Sequence, residues 1–273
     1  MPEISASQVQ SLRSRTDLPL MDCKKALIDA GGNEERAIEI LREKFKDRMS
    51  SRADKEAANG RIGLYADANG GALAEVRCET DFVAGNKVFV ELANQCARQV
   101  AETHLKDPQA LLASKASFAA GRTLKELMAD AYGKLNEKLE IRRARCVHGA
   151  AAGYVHHNGK VAALITMDKP NDAAGRQISM HIASAHVLLG LDRSAIDPKL
   201  VEEAKAAARA EVSNKPPQII DKIVAGKMDK WFGERVLLEQ PFALDDKKSV
   251  GEFAKESGVS ITGYLRYELG GKD

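Results

Sequence analysis

Between residues 61 and 78 the apolar positions recur every second residue, as Ile62, Leu64 and Ala66 in "RIGLYAD" and then Ala72, Ala74, Val76 and Cys78 in "ALAEVRC". The break between them is "ANGG", so the pattern predicts a β-hairpin. After it the period changes. From Asn86, a candidate N-cap, Val88, Leu92, Cys96 and Val100 recur at intervals of four, which predicts a helix burying one face against the hairpin. Helical segments follow around 108–118 and 123–135. The strand period then returns in "RRARCVH", "AAGYVHH" and "KVAALITM", with the Asn158-Gly159 turn before the last, and a helix from about Asn171 carries Ile178, Ile182 and Val187. A hairpin with a covering helix therefore occurs twice, which points to two similar α+β subdomains.

The two ends read differently. In the first fifty residues Ser5 and Gln8 fit a capping box ahead of Val9 and Leu12, Gly31 and Gly32 stop a second helix, and Asn33 caps a third. Ala26, Leu27, Ala30, Ala37, Ile38 and Leu41 give these three helices only a small shared core, which suits a recognition module. "KDRMSSRADKEAANG", residues 46–60, has no sustained apolar stripe and reads as a linker or an exposed helix extension. Further on, Pro198 starts one helix and Pro216-Pro217 interrupt the pattern and start another, predicting an antiparallel helical hairpin. "SVGEFAKESG" closes as a short helix and "VSITGYLRYELGG" as a strand. The expected fold is α+β, with a three-helix module at 1–50, a linker at 51–60, core subdomains at 61–140 and 141–273, and the helical hairpin inserted at about 190–228.

Composition narrows the classes. Forty-one Lys plus Arg against 39 Asp plus Glu leave a net charge of +2, so no whole-chain field attracts nucleic acid, and no direct nucleic-acid partner is expected. Cys23, Cys78, Cys96 and Cys146 form no C-x-x-C pair, the first residues lack the apolar core of a secretory signal, and no apolar run is long enough for a membrane span. These features place the chain in the cytoplasm with reduced cysteines.

The spacings that catalysis demands do not occur: there is no G-x-x-x-x-G-K-[ST], no G-x-G-x-x-G after a strand, no H-E-x-x-H and no G-x-S-x-G. His156 and His157 are adjacent on a strand end and point to opposite faces, so they do not share a metal. His181 and His186 are five apart on a helix and face different directions. Cys78 lies near Asp81, whose carboxylate would raise the thiol pKa, so it reads as structural. "IRRAR" is basic but lacks aromatics for stacking bases. No catalytic residue, metal ligand or cofactor is expected.

One stretch does not fit a plain connection. "RCETDFVAGN", residues 77–86, sets Phe82 beside Asp81 between a strand and a helix, where connections normally carry polar groups. Together with "LMDCKKAL" at 20–27, "IRRA" at 141–144, "MHIA" at 180–183 and "QPF" at 240–242, the segment "ETDFVA" at 79–84 resembles, in order and spacing, bacterial translation elongation factor Ts (EF-Ts). The resemblance implies a guanine-nucleotide exchange factor for the GTPase elongation factor Tu (EF-Tu), with no catalytic centre of its own. It also implies a build of ubiquitin-associated (UBA)-like three-helix module, linker, two-part core and protruding helical hairpin, the hairpin a possible route to a homodimer.

By that resemblance Thr80, Asp81, Phe82 and Val83 form a wedge that enters the partner near its magnesium ion. His181 would press on the same partner helices, Leu20, Met21 and Lys24 would bind the GTPase domain, and Val161 and Ala162 would approach its nucleotide-proximal surface. Phe242, with Ala243 and Leu244 after it, would meet a second domain of the partner. The chain departs from the family pattern at Pro19-Leu20-Met21, where many members have Gly-Met-Met, and at Ala162, where a Gly is usual. It ends soon after "RYELGG", without the extra C-terminal helical module many relatives carry. From residue type alone, Phe82 could instead fold back as an anchor for the next helix, Lys24 is a solvated face, and His181 is a satisfied core histidine. The alternative function is a non-exchanging adaptor that holds a partner through its three-helix module; a thiol or metal hydrolase is a distant third.

Overall fold

The computed structural model describes residues 4–271 other than 52, 53, 186 and 214, so His186 and part of the expected linker lie outside the described residues. Three helices open the chain: α1 (Ala6–Thr16), α2 (Leu20–Asp29) and α3 (Glu34–Ser51). The Ser5 hydroxyl accepts from the Gln8 N–H while the Gln8 side chain accepts from the Ser5 N–H, the reciprocal arrangement expected from the sequence. The Asn33 side chain caps α3, accepting from the Arg36 N–H at 2.9 Å.

Then come β1 (Asn59–Ala66), β2 (Gly70–Cys78), α4 (Asp81–Gly85), α5 (Lys87–Thr103), α6 (Pro108–Ala113) and α7 (Leu124–Leu135). The second half holds β3 (Glu140–His148), β4 (Ala150–Val155), β5 (Val161–Met167), α8 (Asp172–Ser184), α9 (Pro198–Glu211) and α10 (Pro217–Arg235). It closes with β6 (Pro241–Phe242), β7 (Asp245–Ser249), α11 (Val250–Glu256) and β8 (Ile261–Glu268). The fold is α+β.

Two antiparallel three-stranded sheets, ordered β1-β2-β3 and β4-β5-β8, stand back to back, and β6 with β7 makes a third, two-stranded one. The "RRARCVH" strand is β3 and pairs with β2, with Ala144 opposite Ala74, so it belongs to the first sheet rather than to the unit that begins at residue 141. The reason is local. Only Gly149, at φ +94°, separates β3 from β4, and this glycine-favouring conformation steps the chain across to the other sheet instead of folding it back. The second hairpin is therefore β4 with β5, and β8 from the chain end completes its sheet.

Between the sheets lie Ile62, Leu73, Ala151, Ala162, Leu164 and Tyr267. On the outer face of the first sheet, Ala72, Ala74 and Val76 meet Phe89, Leu92 and Cys96 of α5. Ala163 and Ile165 meet Ile178 and Ile182 of α8 on the outer face of the second. β2 is thus buried on both sides, which the alternation of one face did not announce. Val187 lies beyond the end of α8 and is exposed.

The N-terminal helices share a core with the first sheet unit: Phe45 meets Tyr132 edge-on at 6.3 Å between ring centroids, and both belong to the cluster that contains Leu12, Leu27 and Phe89. α9 and α10 carry a small core of their own, including Ile196, Val212, Val224, Met228 and Phe232, and α10 runs past residue 228 to Arg235. The pair is tied to the body at its base, where Leu189 N–H donates to Arg235 O and Leu237 N–H to Gly190 O.

Candidate functional site

Phe82 does not sit in an irregular turn. It lies in the first turn of α4, a five-residue helix whose N-cap, Thr80, accepts from the Val83 N–H at 3.3 Å. So short a helix has no stability alone, because nucleation fixes several residues for one hydrogen bond. The surrounding chain supplies what is missing.

The Glu137 carboxylate, just beyond α7, accepts from the Glu79 N–H at 3.1 Å, the Thr80 N–H at 3.0 Å and the Thr80 hydroxyl at 2.6 Å. In return Lys138 N–H donates to the Glu79 carboxylate at 2.7 Å. Asn59 donates to Glu79 O at 2.9 Å, and the Cys78 thiol to Thr80 O at 3.2 Å. At the other end of α4, Arg61 donates to Ala84 O at 3.2 Å, satisfying one of the last carbonyls. Burial, helped by the charge of Glu137, pushes the Cys78 thiol up to about 12, so it stays a protonated donor beneath the helix.

On this braced platform Asp81 is exposed and Phe82 is 87% exposed, the largest exposure among the exposed large hydrophobic side chains described. The ring does not fold back as an anchor for α5. Val83 is half-buried against the first core.

On α2, Leu20, Met21 and Lys24 share an outward face with Ile28, all exposed, while Cys23, Ala26 and Leu27 turn inward. The spacing i, i+4, i+8 of Leu20, Lys24 and Ile28 sets them in one row. Val161, the first residue of β5, is half-buried, but Ala162 is fully buried between the sheets.

The structure draws His181, Phe242 and Ala243 together. Ala243 N–H donates to His181 Nδ1 at 3.2 Å, which leaves the ring proton on Nε2, 2.8 Å from Gln240 Oε1. Gln240 in turn donates to Val187 O and Glu234 O. His181 is 6% exposed, and that burial pushes its pKa down, against the opposing pull of Gln240. Within the molecule it is a satisfied core histidine, both ring nitrogens being engaged. Phe242 is buried as well, stacked on Phe253 at 4.2 Å. What reaches the surface is the segment they hold, Ala243 and Leu244, the latter 54% exposed. An open groove of about 480 Å³ beside it is lined by His181, Val187, Arg235 and Pro241 among others.

Sequence alone does not single out Glu137 or Arg61. Their partners stand 57 and 23 residues away, and a lone Glu after a helix carries no local signal. Among the described residues no group of three or more His, Cys, Asp or Glu could hold a metal ion, and no helix is long and apolar enough to cross a membrane.

Comparison with known proteins defines the class. Residues 79–271 match the family model described as Elongation factor TS. The chain is 36% identical over 276 residues to Elongation factor Ts of Azoarcus sp. strain BH72, spanning 99% of this chain and 92% of that protein. It is 38% identical over 275 residues to Elongation factor Ts of Bordetella avium strain 197N, spanning 99% and 92%. With Elongation factor Ts of Thermobifida fusca strain YX it shares 37% over 281 residues, spanning 99% of each chain. The class is that of the translation elongation factors. Within it, the chain belongs to the elongation factor Ts family.

Proposed function

We propose that the protein is a guanine-nucleotide exchange factor that binds EF-Tu and speeds release of GDP by disturbing the partner's magnesium and phosphate site. The observation that carries this reading is Phe82, 87% exposed on a helix too short to stand alone and held at both ends by hydrogen bonds. A side chain that contributes nothing to its own core, yet is presented on a fixed backbone, suits insertion into another protein.

The physics needs no covalent step. A GTPase holds its nucleotide through backbone donors around the phosphates and a magnesium ion bridging phosphate oxygens to side chains. A partner that binds the nucleotide-free form more tightly weakens nucleotide binding by the same factor. Driving such an equilibrium from 1:99 to 99:1 takes about 5.5 kcal/mol, whereas burying one Phe supplies roughly 1.5–3 kcal/mol. Other contacts therefore share the load. Asp81 competes for the polar groups around the magnesium ion, Thr80 and Val83 fix the wedge, and Leu20, Met21 and Lys24 grip the GTPase domain. Val161 meets the nucleotide-proximal surface, and Ala243 with Leu244 meets a second domain. His181, Phe242 and Ala162, being buried, act by shaping the surfaces above them.

Release of a fluorescent GDP analogue from EF-Tu tests the reading. The parent protein accelerates release, more at high than at low magnesium. Phe82→Ala loses about tenfold or more of the acceleration, the factor matching a lost burial of ~1.5–3 kcal/mol. An undiminished rate in Phe82→Ala would remove the wedge from the mechanism.

A further inference from the structure

We infer that Glu137 is a positioning residue for the wedge: its carboxylate, held in the segment between α7 and β3, fixes the direction in which α4 presents Phe82. This rests on the exchange reading for its consequence, but the geometry stands on its own. The hydrogen bonds of Glu137 go to Glu79 and Thr80, the two residues ahead of Asp81 and Phe82. Its two oxygens take three donors from Glu79 and Thr80, and one of these is the hydroxyl of the N-cap. By taking the Thr80 hydroxyl hydrogen, Glu137 leaves the oxygen lone pairs facing the Val83 N–H, which is the orientation an N-cap requires. The same carboxylate therefore closes the strand end and starts the helix.

Arg61 completes the clamp from the opposite end. It lies on β1, its guanidinium donates to Ala84 O, and the Gly159 turn of the second hairpin packs directly over it, where a Cβ would come 2.9 Å from its guanidinium carbon. α4 is thus held from two elements, neither of them its sequence neighbour. A wedge acts on a partner only as far as its own backbone resists being pushed back, and the 87% exposed ring has no packing to resist with. The resistance comes from this clamp.

Glu137→Gln is the informative change, because it keeps the shape but leaves one neutral oxygen for the Glu79 and Thr80 N–H groups and turns an NH₂ toward the Thr80 hydroxyl, where it competes for the lone pairs that cap Val83. It is expected to speed hydrogen exchange of the Glu79, Thr80 and Val83 amides by about tenfold or more, with those of β4 and β5 unchanged. It is also expected to slow GDP release from EF-Tu by about tenfold in the parent background, and by less than twofold when Phe82 is already Ala. An equal loss in both backgrounds would overturn the positioning role and leave the exchange reading intact. Unchanged amide protection would overturn the clamp itself. Should the parent release no nucleotide at all, the exchange reading fails, and the amide measurement still decides whether Glu137 holds α4. Arg61→Met, which keeps the stem and removes the donor, supplies a second variant with the same non-additive expectation against Phe82→Ala.

Discussion

At the scale of single residues, His181 shows how a functional expectation and a physical one can be separated. The resemblance assigned it a contact, while residue type alone assigned it to a satisfied core, and its two ring nitrogens are both engaged within the molecule. Protonating Nδ1 would cancel the bond from Ala243 N–H and place a charge in a buried site. Burial accordingly lowers the pKa in the folded state below the ordinary value near 6.5. The sign follows from linkage. Above about 6.5 neither state takes the proton; below it the unfolded histidine does and the folded one resists, so stability falls as pH drops toward the folded value. Urea unfolding from about pH 7.5 down to about pH 5.5, on either side of the usual histidine value, should show the parent losing more stability than His181→Gln, the gap between them narrowing on acidification. Parallel pH profiles for the two would mean that His181 does not titrate against folding.

At the scale of elements, the packing of α5 on the first sheet depends on an absent side chain. Gly63 on β1 lies against the backbone of α5, where a Cβ would overlap the Ala93 carbonyl and come within 2.9 Å of the Asn94 N–H nitrogen. Both obstacles are main chain, so no rotamer change relieves them, and Gly63→Ala should cost at least the ~1–3 kcal/mol typical of overpacked cores. A thermal midpoint equal to the parent's would show that the helix can lift off at no cost. The contrast with what sequence made legible is instructive. Asn86, Ser5 and Asn33 were readable as caps because capping acts over two or three residues, and the period of α5 was readable because one face is apolar throughout. In the sequence α4 looks like a turn because five residues are too few to express a helical period. The sheet to which β3 belongs and the grip of Glu137 on Thr80 depend on partners far along the chain, and no local pattern carries that information.

At the scale of the whole molecule, the question is what fixes one half against the other, since the proposed wedge stands on the first sheet unit and the proposed Ala243-Leu244 contact on the second. The apolar layer between the sheets, with Leu73 and Leu164 at its centre, supplies most of the adhesion but little direction, because burial of apolar area is not directional. Directional contacts across the seam gather at Glu75. This fully buried carboxylate sits where the β2–β3 register shifts, and it accepts from Arg77 Nε at 2.6 Å and Arg143 Nε at 2.7 Å. Across the seam it also accepts from the Gly270 N–H at 3.2 Å, just past β8. Arg143 reaches over as well, donating to Glu268 O at 2.8 Å and lying 4.1 Å from the centre of the Tyr267 ring. Arg77 extends the network toward the N-terminal side by donating to Ala58 O. Such a buried cluster adds little net stability relative to an apolar replacement, but breaking it from one side leaves uncompensated charge. Glu75→Ala would strand two arginines whose side chains are only 13% and 10% exposed, and should cost about 3–5 kcal/mol in urea unfolding. Replacing Glu75, Arg77 and Arg143 together by apolar residues of similar volume should recover most of that loss. If the single change proves as mild as the triple one, the apolar layer alone suffices to hold the two sheet units together, and the ion cluster is not what ties them across the seam.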